Sequence, residues 1–219
     1  MNELFKWDYV FDHLDDIWLQ TREHLWLTVI AVGIGFLISF PLALLSHRLR
    51  WTYTPITWIS GILYTIPSLA LFAFLVPYTG LSTLTAEIGL VSYTLLILIR
   101  NIVSGLDSVP DDVQESALGM GLSRSQLLWR VQLPLALPVI LAGIRIATVT
   151  TVGLVTVTAV IGQGGVGAYI LDGFRRLVPT FAILGASIAI VLAVVLDRLL
   201  IGLERLLTPW SKRRAGVAV

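Results

Sequence analysis

The chain has 219 residues, of which 56% are hydrophobic and 13% charged, with a net charge of +1 and no cysteine. A soluble domain carries about 25% charged residues, so half the usual surface charge is missing and an ordinary water-soluble globule is excluded. The absence of cysteine excludes disulfides, thiolate chemistry and cysteine metal sites.

Residues 1–23 hold six acids (Glu3, Asp8, Asp12, Asp15, Asp16 and Glu23) against two bases, Lys6 and Arg22. No basic region leads into a short apolar run, so this segment does not read as a cleaved signal peptide. Stretches free of Lys, Arg, Asp and Glu follow at 24–47, 51–86, 146–171 and 177–196. Each can hold a membrane helix, which needs about 20 residues. The runs are continuous, not alternating, which favours helices over a β-barrel. Five spans are predicted, at 25–46, 56–76, 84–106, 134–160 and 178–200. Pro55 and Pro77 flank the second. The fourth is long enough to tilt or to leave the bilayer at its ends.

Arg48 and Arg50 follow the first span, and Lys212, Arg213 and Arg214 follow the fifth. With five spans these lie on one side, which the excess of basic residues marks as cytoplasmic. The N-terminus and the 77–83 loop then face out, and 107–133 faces in. Arg175 and Arg176 fall outside, against the rule; a re-entrant pair at the fourth span would remove the conflict.

The inward segment contains QESALGMGLSRSQLLWRVQLPLALP at 114–138. Ser108-Val-Pro-Asp111 and Ser123-Arg-Ser-Gln126 read as capping boxes, in which the serine accepts an amide hydrogen bond and the acidic or amide side chain meets the start of the helix. The prediction is helix 109–120, a bend at Gly121, then helix 124–132. In the second helix Leu127, Leu128 and Val131 share a side. Pro134 and Pro138 mark the entry into the fourth span. Physics alone allows two readings: a surface-lying amphipathic connector, or a docking element for a cytoplasmic partner.

This segment resembles the signature loop of ABC importer permeases, whose pattern is E-A-A, three residues, Gly, nine residues, then I-x-L-P. Glu115, Ser116 and Ala117 stand at the E-A-A positions, Gly121 follows at the family spacing, Val131 takes the isoleucine position, and Leu133-Pro134 closes the match. Ser116 and Val131 are the departures. The stretches at 64–77, 97–121, 132–149 and 159–174 are similar to the osmoprotectant subgroup, which imports glycine betaine, carnitine and choline. The methionine permeases share the size and five-span layout.

The resemblance implies an all-α membrane protein with the type I ABC importer permease bundle, like the methionine permeases, with about five transmembrane helices and a cytoplasmic coupling helix. It implies an extracytoplasmic segment at 1–23, a permease domain at 24–205 with its coupling loop at 107–133, and a cytoplasmic basic tail at 206–219, all in a bacterial cell (inner) membrane. Glu115, Ser116, Ala117, Gly121, Leu133 and Pro134 are then the ATPase-coupling residues. The implied partners are cytoplasmic ABC ATPase subunits, a second permease subunit (identical or related), an extracytoplasmic substrate-binding protein and the lipid bilayer; no nucleic acid is implied. ATP and Mg belong to the partner ATPase, and this chain binds no cofactor.

The chain has no G-x-x-x-x-G-K-[ST] phosphate loop. Its Gly162-Gln-Gly-Gly-Val-Gly167 run lacks the lysine and reads as a tight turn or close helix packing, with a gating contribution from Gly162, Gly164 and Gly165 under the resemblance. Tyr64 and Tyr93 are candidates to line the pathway, because quaternary ammonium groups favour aromatic faces; the plainer reading is packing. Arg100 and Arg145 lie within span sequences, where charge is costly, and are expected to snorkel or to pair with an acid such as Glu115 or Asp107. Asp197-Arg198 reads as an interface pair. His13, His24 and His47 lack metal spacing. The rival readings are the same machinery carrying methionine or another small amino acid, and a non-transporting scaffold. An enzyme finds no catalytic set.

Overall fold

A computed structural model describes residues 6–210. Lys212, Arg213, Arg214 and Glu3 lie outside the described residues. Two helices, α1 (Trp7–Asp12) and the long α2 (Leu14–Arg48), begin the chain. They are followed by α3 (Tyr53–Thr65), α4 (Ser68–Thr79) and α5 (Thr83–Asp107). Next come the short α6 (Asp111–Gly119) and α7 (Arg124–Leu127), then α8 (Leu133–Thr158), α9 (Gly167–Arg176) and α10 (Pro179–Leu207).

Four of the predicted spans are single long helices; the second is broken. Between α3 and α4 the chain bends by 95°. Pro67 is the physical reason: it has no amide hydrogen to donate and biases Ile66 towards extended backbone, where that residue has ψ 128°. The Tyr93 hydroxyl donates to the carbonyl of Ile66, satisfying an acceptor that the break frees.

Contacts along α5 show that this broken pair crosses the bundle instead of returning to the end it started from. Arg50, ahead of α3, pairs with Asp107 at the last turn of α5. Ile66 meets Tyr93, Phe72 lies against Gly89, and Thr79 meets Thr85 near the first turn. Helix α2 runs parallel to α5, with Leu27 and Ala31 packed in one cluster with Leu90 and Val91, and Gly35 against Thr94. Parallel neighbours require a crossing element between them. The bundle therefore has five passes, and the interruption sits in the second, not in the fourth as the arginine conflict suggested.

The core is built by α2, α5 and α8 around Leu98, Ile99, Ile102, Leu106, Ala136 and Ile140. Small residues let these helices approach closely, as is common between membrane helices: a Cβ on Gly143 would lie 2.4 Å from Asn101 Cβ, and one on Gly105 would lie 3.1 Å from the Ala136 carbonyl oxygen. In α10 the outward residues Ile190, Val191, Val194 and Leu199 are exposed, as lipid- or subunit-facing helices require. The bundle thus has a loop end, where α2, α5 and α10 finish and α6 sits, and a glycine end, where α1 and the 159–178 segment lie.

Candidate functional site

At the loop end, Asp107 closes α5. Its carboxylate accepts from Arg50 at 2.6 and 2.8 Å and from the His47 ring at 2.8 Å. The first predicted capping box does not form. Ser108 turns back, and its hydroxyl donates to the Gly105 carbonyl at 2.7 Å, while Pro110 becomes the N-cap of α6. Asp111 and Asp112 still occupy the first turn, where the helix dipole favours acids.

Helix α6 presents Glu115 and Ser116 to solvent and buries Ala117 to 3% exposure. Leu118 and Met120 at its tip are 44% and 76% exposed. Glu115 makes no ion pair among the described residues. The helix ends in a Schellman motif. Gly121, at φ 87°, donates to the Leu118 carbonyl at 2.9 Å, and Leu122 donates to the Ala117 carbonyl at 3.3 Å. The positive φ is why a glycine stands here.

The second capping box does form: Ser123 and Gln126 exchange bonds of 3.3 and 2.8 Å. From Arg124 the helix continues through a π turn at Leu128–Gln132 straight into α8, with no break at Pro134. A π turn suits the proline. The Leu133 amide bonds to Leu128, and Pro134, which has no N–H, follows at the N-terminus of α8. Leu133 packs against the core and Leu127 is buried. Gln132 donates to Gln114 at 2.8 Å, and Gln114 in turn donates to the Val109 carbonyl at 2.9 Å. This chain of amides ties α6 to the root of α8.

The other candidates are scattered. Arg145 donates to Asp197 at 2.9 Å and to Glu204 at 3.3 Å, joining α8 to α10. Its partners are not Glu115 or Asp107, and Asp197 pairs with Arg145 instead of its neighbour Arg198. Arg100 is exposed and has no ion-pair partner among the described residues. Tyr93 is 5% exposed, Tyr64 is 40% exposed, and their rings meet edge-on at 6.1 Å. At the glycine end Gly162, Gly164 and Gly165 all have positive φ. A Cβ on Gly165 would lie 2.5 Å from the Gln20 carbonyl oxygen and 2.6 Å from His24, so α2 presses directly on the glycine turn. His24 is fully buried and its Nε2 bonds to the Val152 carbonyl at 3.0 Å.

One residue escaped the sequence reading. Glu87 is the sole charged residue between positions 51 and 99. It is 8% exposed, and neither carboxylate oxygen has a hydrogen-bond partner among the described residues. An acid inside a predicted span was the available signal. No group of three or more His, Asp or Glu among the described residues could hold a metal ion.

Comparison with known proteins places the chain. The profile of the family described as "Binding-protein-dependent transport system inner membrane component" matches residues 31–212. The chain belongs to this family. It is a permease subunit of an ABC importer, a multi-pass membrane protein. It is 39% identical over 206 residues to the osmoprotectant import permease protein OsmW of Salmonella typhimurium, covering 92% of this chain and 96% of that one. It is 37% identical to the choline transport system permease protein OpuBB of Bacillus subtilis, covering 89% and 90%. Its fold matches a solved chain of the MetNI methionine ABC transporter with a TM-score of 0.79 at 20% identity, covering 90% of this permease and 98% of that chain.

Proposed function

We propose that this permease forms the membrane pathway for small quaternary-ammonium osmoprotectants such as glycine betaine, carnitine or choline. The observation that carries the substrate class is near full-length similarity to an osmoprotectant permease, together with a choline permease and a glycine betaine/carnitine/choline permease of Bacillus subtilis at 35% identity. The methionine transporter shares the fold at 20% identity and carries no weight on substrate.

In this reading the loop end faces the cytoplasm of a bacterial cell whose inner membrane holds the bundle. Glu115, Ser116, Ala117 and Gly121 engage a partner ATPase, and Leu133 and Pro134 root the element in the bundle. ATP and Mg are bound by that partner. Closure of the ATPase dimer moves α6, and the amide chain through Gln114 and Gln132 passes the displacement to α8. A second permease subunit, identical or related, completes the pathway, and an extracytoplasmic binding protein delivers substrate to the glycine end. Gly162, Gly164 and Gly165 then sit at the outer gate. Tyr64 is the better pathway-lining candidate of the two tyrosines, because Tyr93 is consumed by packing at the helix break. Arg145 locks α8 to α10, and Arg100 snorkels.

Residues 1–23 are the outer segment, 24–205 the permease domain and 206–219 the inner tail. The test is uptake by the complete importer, offered betaine, carnitine, choline and methionine in turn. Uptake of a quaternary ammonium compound is expected; uptake of methionine alone would overturn the reading.

A further inference from the structure

At the glycine end, α1, the first turns of α2, α9 and the start of α10 enclose a cavity of about 300 Å³. That is the lower end of the volume range of small-molecule sites, about 300–1,000 Å³. Most of its wall precedes residue 31 or follows the glycine turn, so part of it lies ahead of the region the family profile matches. Nothing in the coupling machinery uses it.

Its chemistry is specific. Four rings line it, from Tyr9, His13, Tyr169 and Phe181, with two carboxylates, Asp16 and Asp172, and one guanidinium, Arg176. The Tyr169 hydroxyl donates to Asp16, which fixes that wall. The Tyr9 ring stacks on His13 at 4.0 Å and tilts against Phe181 at 4.7 Å. Burial first, then the nearby Asp16 carboxylate, raises the Tyr9 phenol above its ordinary value, and burial with the Asp16 bond raises Tyr169.

The cavity already holds a cation. The Arg176 guanidinium carbon lies 5.9 Å from the centroid of Phe181, and its Nη2 is 3.3 Å from Asp172. An aromatic face backed by a carboxylate is the arrangement that binds quaternary ammonium groups, which donate no hydrogen bonds and rely on cation–π attraction and charge. Arg176 is 65% exposed on its side chain, so it is weakly held and can swing into solvent. Asp8, Asp12 and Asp15 add negative charge around the same end, offset in part by Lys6 and Arg175.

We propose that this cavity is a receiving site for the quaternary-ammonium head of the substrate, in which the ligand displaces Arg176 from Phe181 and Asp172. The inference rests on the substrate class and orientation proposed above. Affinity is weak by construction, because the ligand competes with a tethered cation, and weak capture suits a site that must pass its ligand on.

The test uses the permease–ATPase complex in nanodiscs without binding protein, and radiolabelled choline measured by equilibrium dialysis. Saturable binding is expected, competed by tetramethylammonium and not by the neutral isostere 3,3-dimethylbutanol. Arg176→Gln, which removes the resident cation, should tighten binding about threefold or more, Phe181→Leu should weaken it by a similar factor, and Phe181→Tyr should retain it. Assembly of each variant is checked by size exclusion. The proposal is overturned if no saturable binding occurs at millimolar choline, if the neutral isostere competes equally, or if Arg176→Gln weakens binding. Uptake by the complete wild-type importer separates the two readings: transported choline with no effect of these variants on binding removes only the cavity, whereas failure to transport any quaternary ammonium compound removes the substrate class itself.

Discussion

Gly119 and Gly121 stand two residues apart on the same loop, yet substitution by alanine should have opposite effects. Gly119 is the last residue of α6, and a Cβ there meets nothing within 4 Å. Alanine at that position adds helix propensity and should stabilise the turn by about 0.5–1 kcal/mol. A Cβ on Gly121 also meets nothing within 4 Å, but its φ is 87°. The cost of Gly121→Ala is therefore purely conformational, about 1–2 kcal/mol for a side chain in the left-handed region. A cost of that size multiplies the population of the opened turn by about 5–30. The Leu122 amide, bonded to the Ala117 carbonyl, reports that opening. Hydrogen exchange of the permease in nanodiscs should show Leu122 exchanging about 5–30-fold faster in Gly121→Ala, and more slowly in Gly119→Ala. Co-purification with the ATPase should weaken in Gly121→Ala alone. Unchanged Leu122 protection in Gly121→Ala, or the same sign in both variants, would refute the assignment of Gly121 as the left-handed residue that closes α6.

Three other outcomes follow from named contacts. Gly165→Ala should cost about 1–3 kcal/mol through overpacking against Gln20 and His24, read as a lowered thermal midpoint, while Gly153→Ala, which meets nothing within 4 Å, should leave the midpoint unchanged or raised. Glu87→Gln should insert normally and melt no lower than the native protein, because the carboxylate has no partner to lose; a clear loss of transport at unchanged midpoint would assign Glu87 a role in the pathway. Tyr169→Phe should cost about 0.5–1.5 kcal/mol at neutral pH through the lost bond to Asp16. Because burial and Asp16 raise the phenol's pKa in the folded state, its stabilisation is complete below the unfolded value near ~10 and fades as pH rises beyond it. The gap in midpoint between the two proteins should therefore narrow above that pH.

Membrane class, five passes and the helix–bend–helix at 109–132 were legible in the sequence because each rests on local information. A run of apolar residues about 20 long has one stable environment, and Ser123 with Gln126 needs only neighbours three residues apart to form its box. The spacing from Glu115 to Pro134 likewise lies within one stretch of chain. The first box failed for a reason that is not local: Ser108 finds the carbonyls of the preceding helix closer than the amides of the next, and Pro110 supplies the cap position.

What the tertiary structure alone decided were the partners. Arg145 sits 52 residues from Asp197 and 59 from Glu204, and no spacing rule joins positions so far apart. The Tyr93 hydroxyl is committed to a carbonyl 27 residues away, freed where Pro67 breaks the helix. The same holds for the cavity between Asp16 and Phe181, whose walls come from both ends of the chain. Sequence determined which segments enter the membrane and which leave it, since transfer free energy is summed along the chain. It left open which side chains meet, since that depends on how helices with similar apolar faces settle against one another.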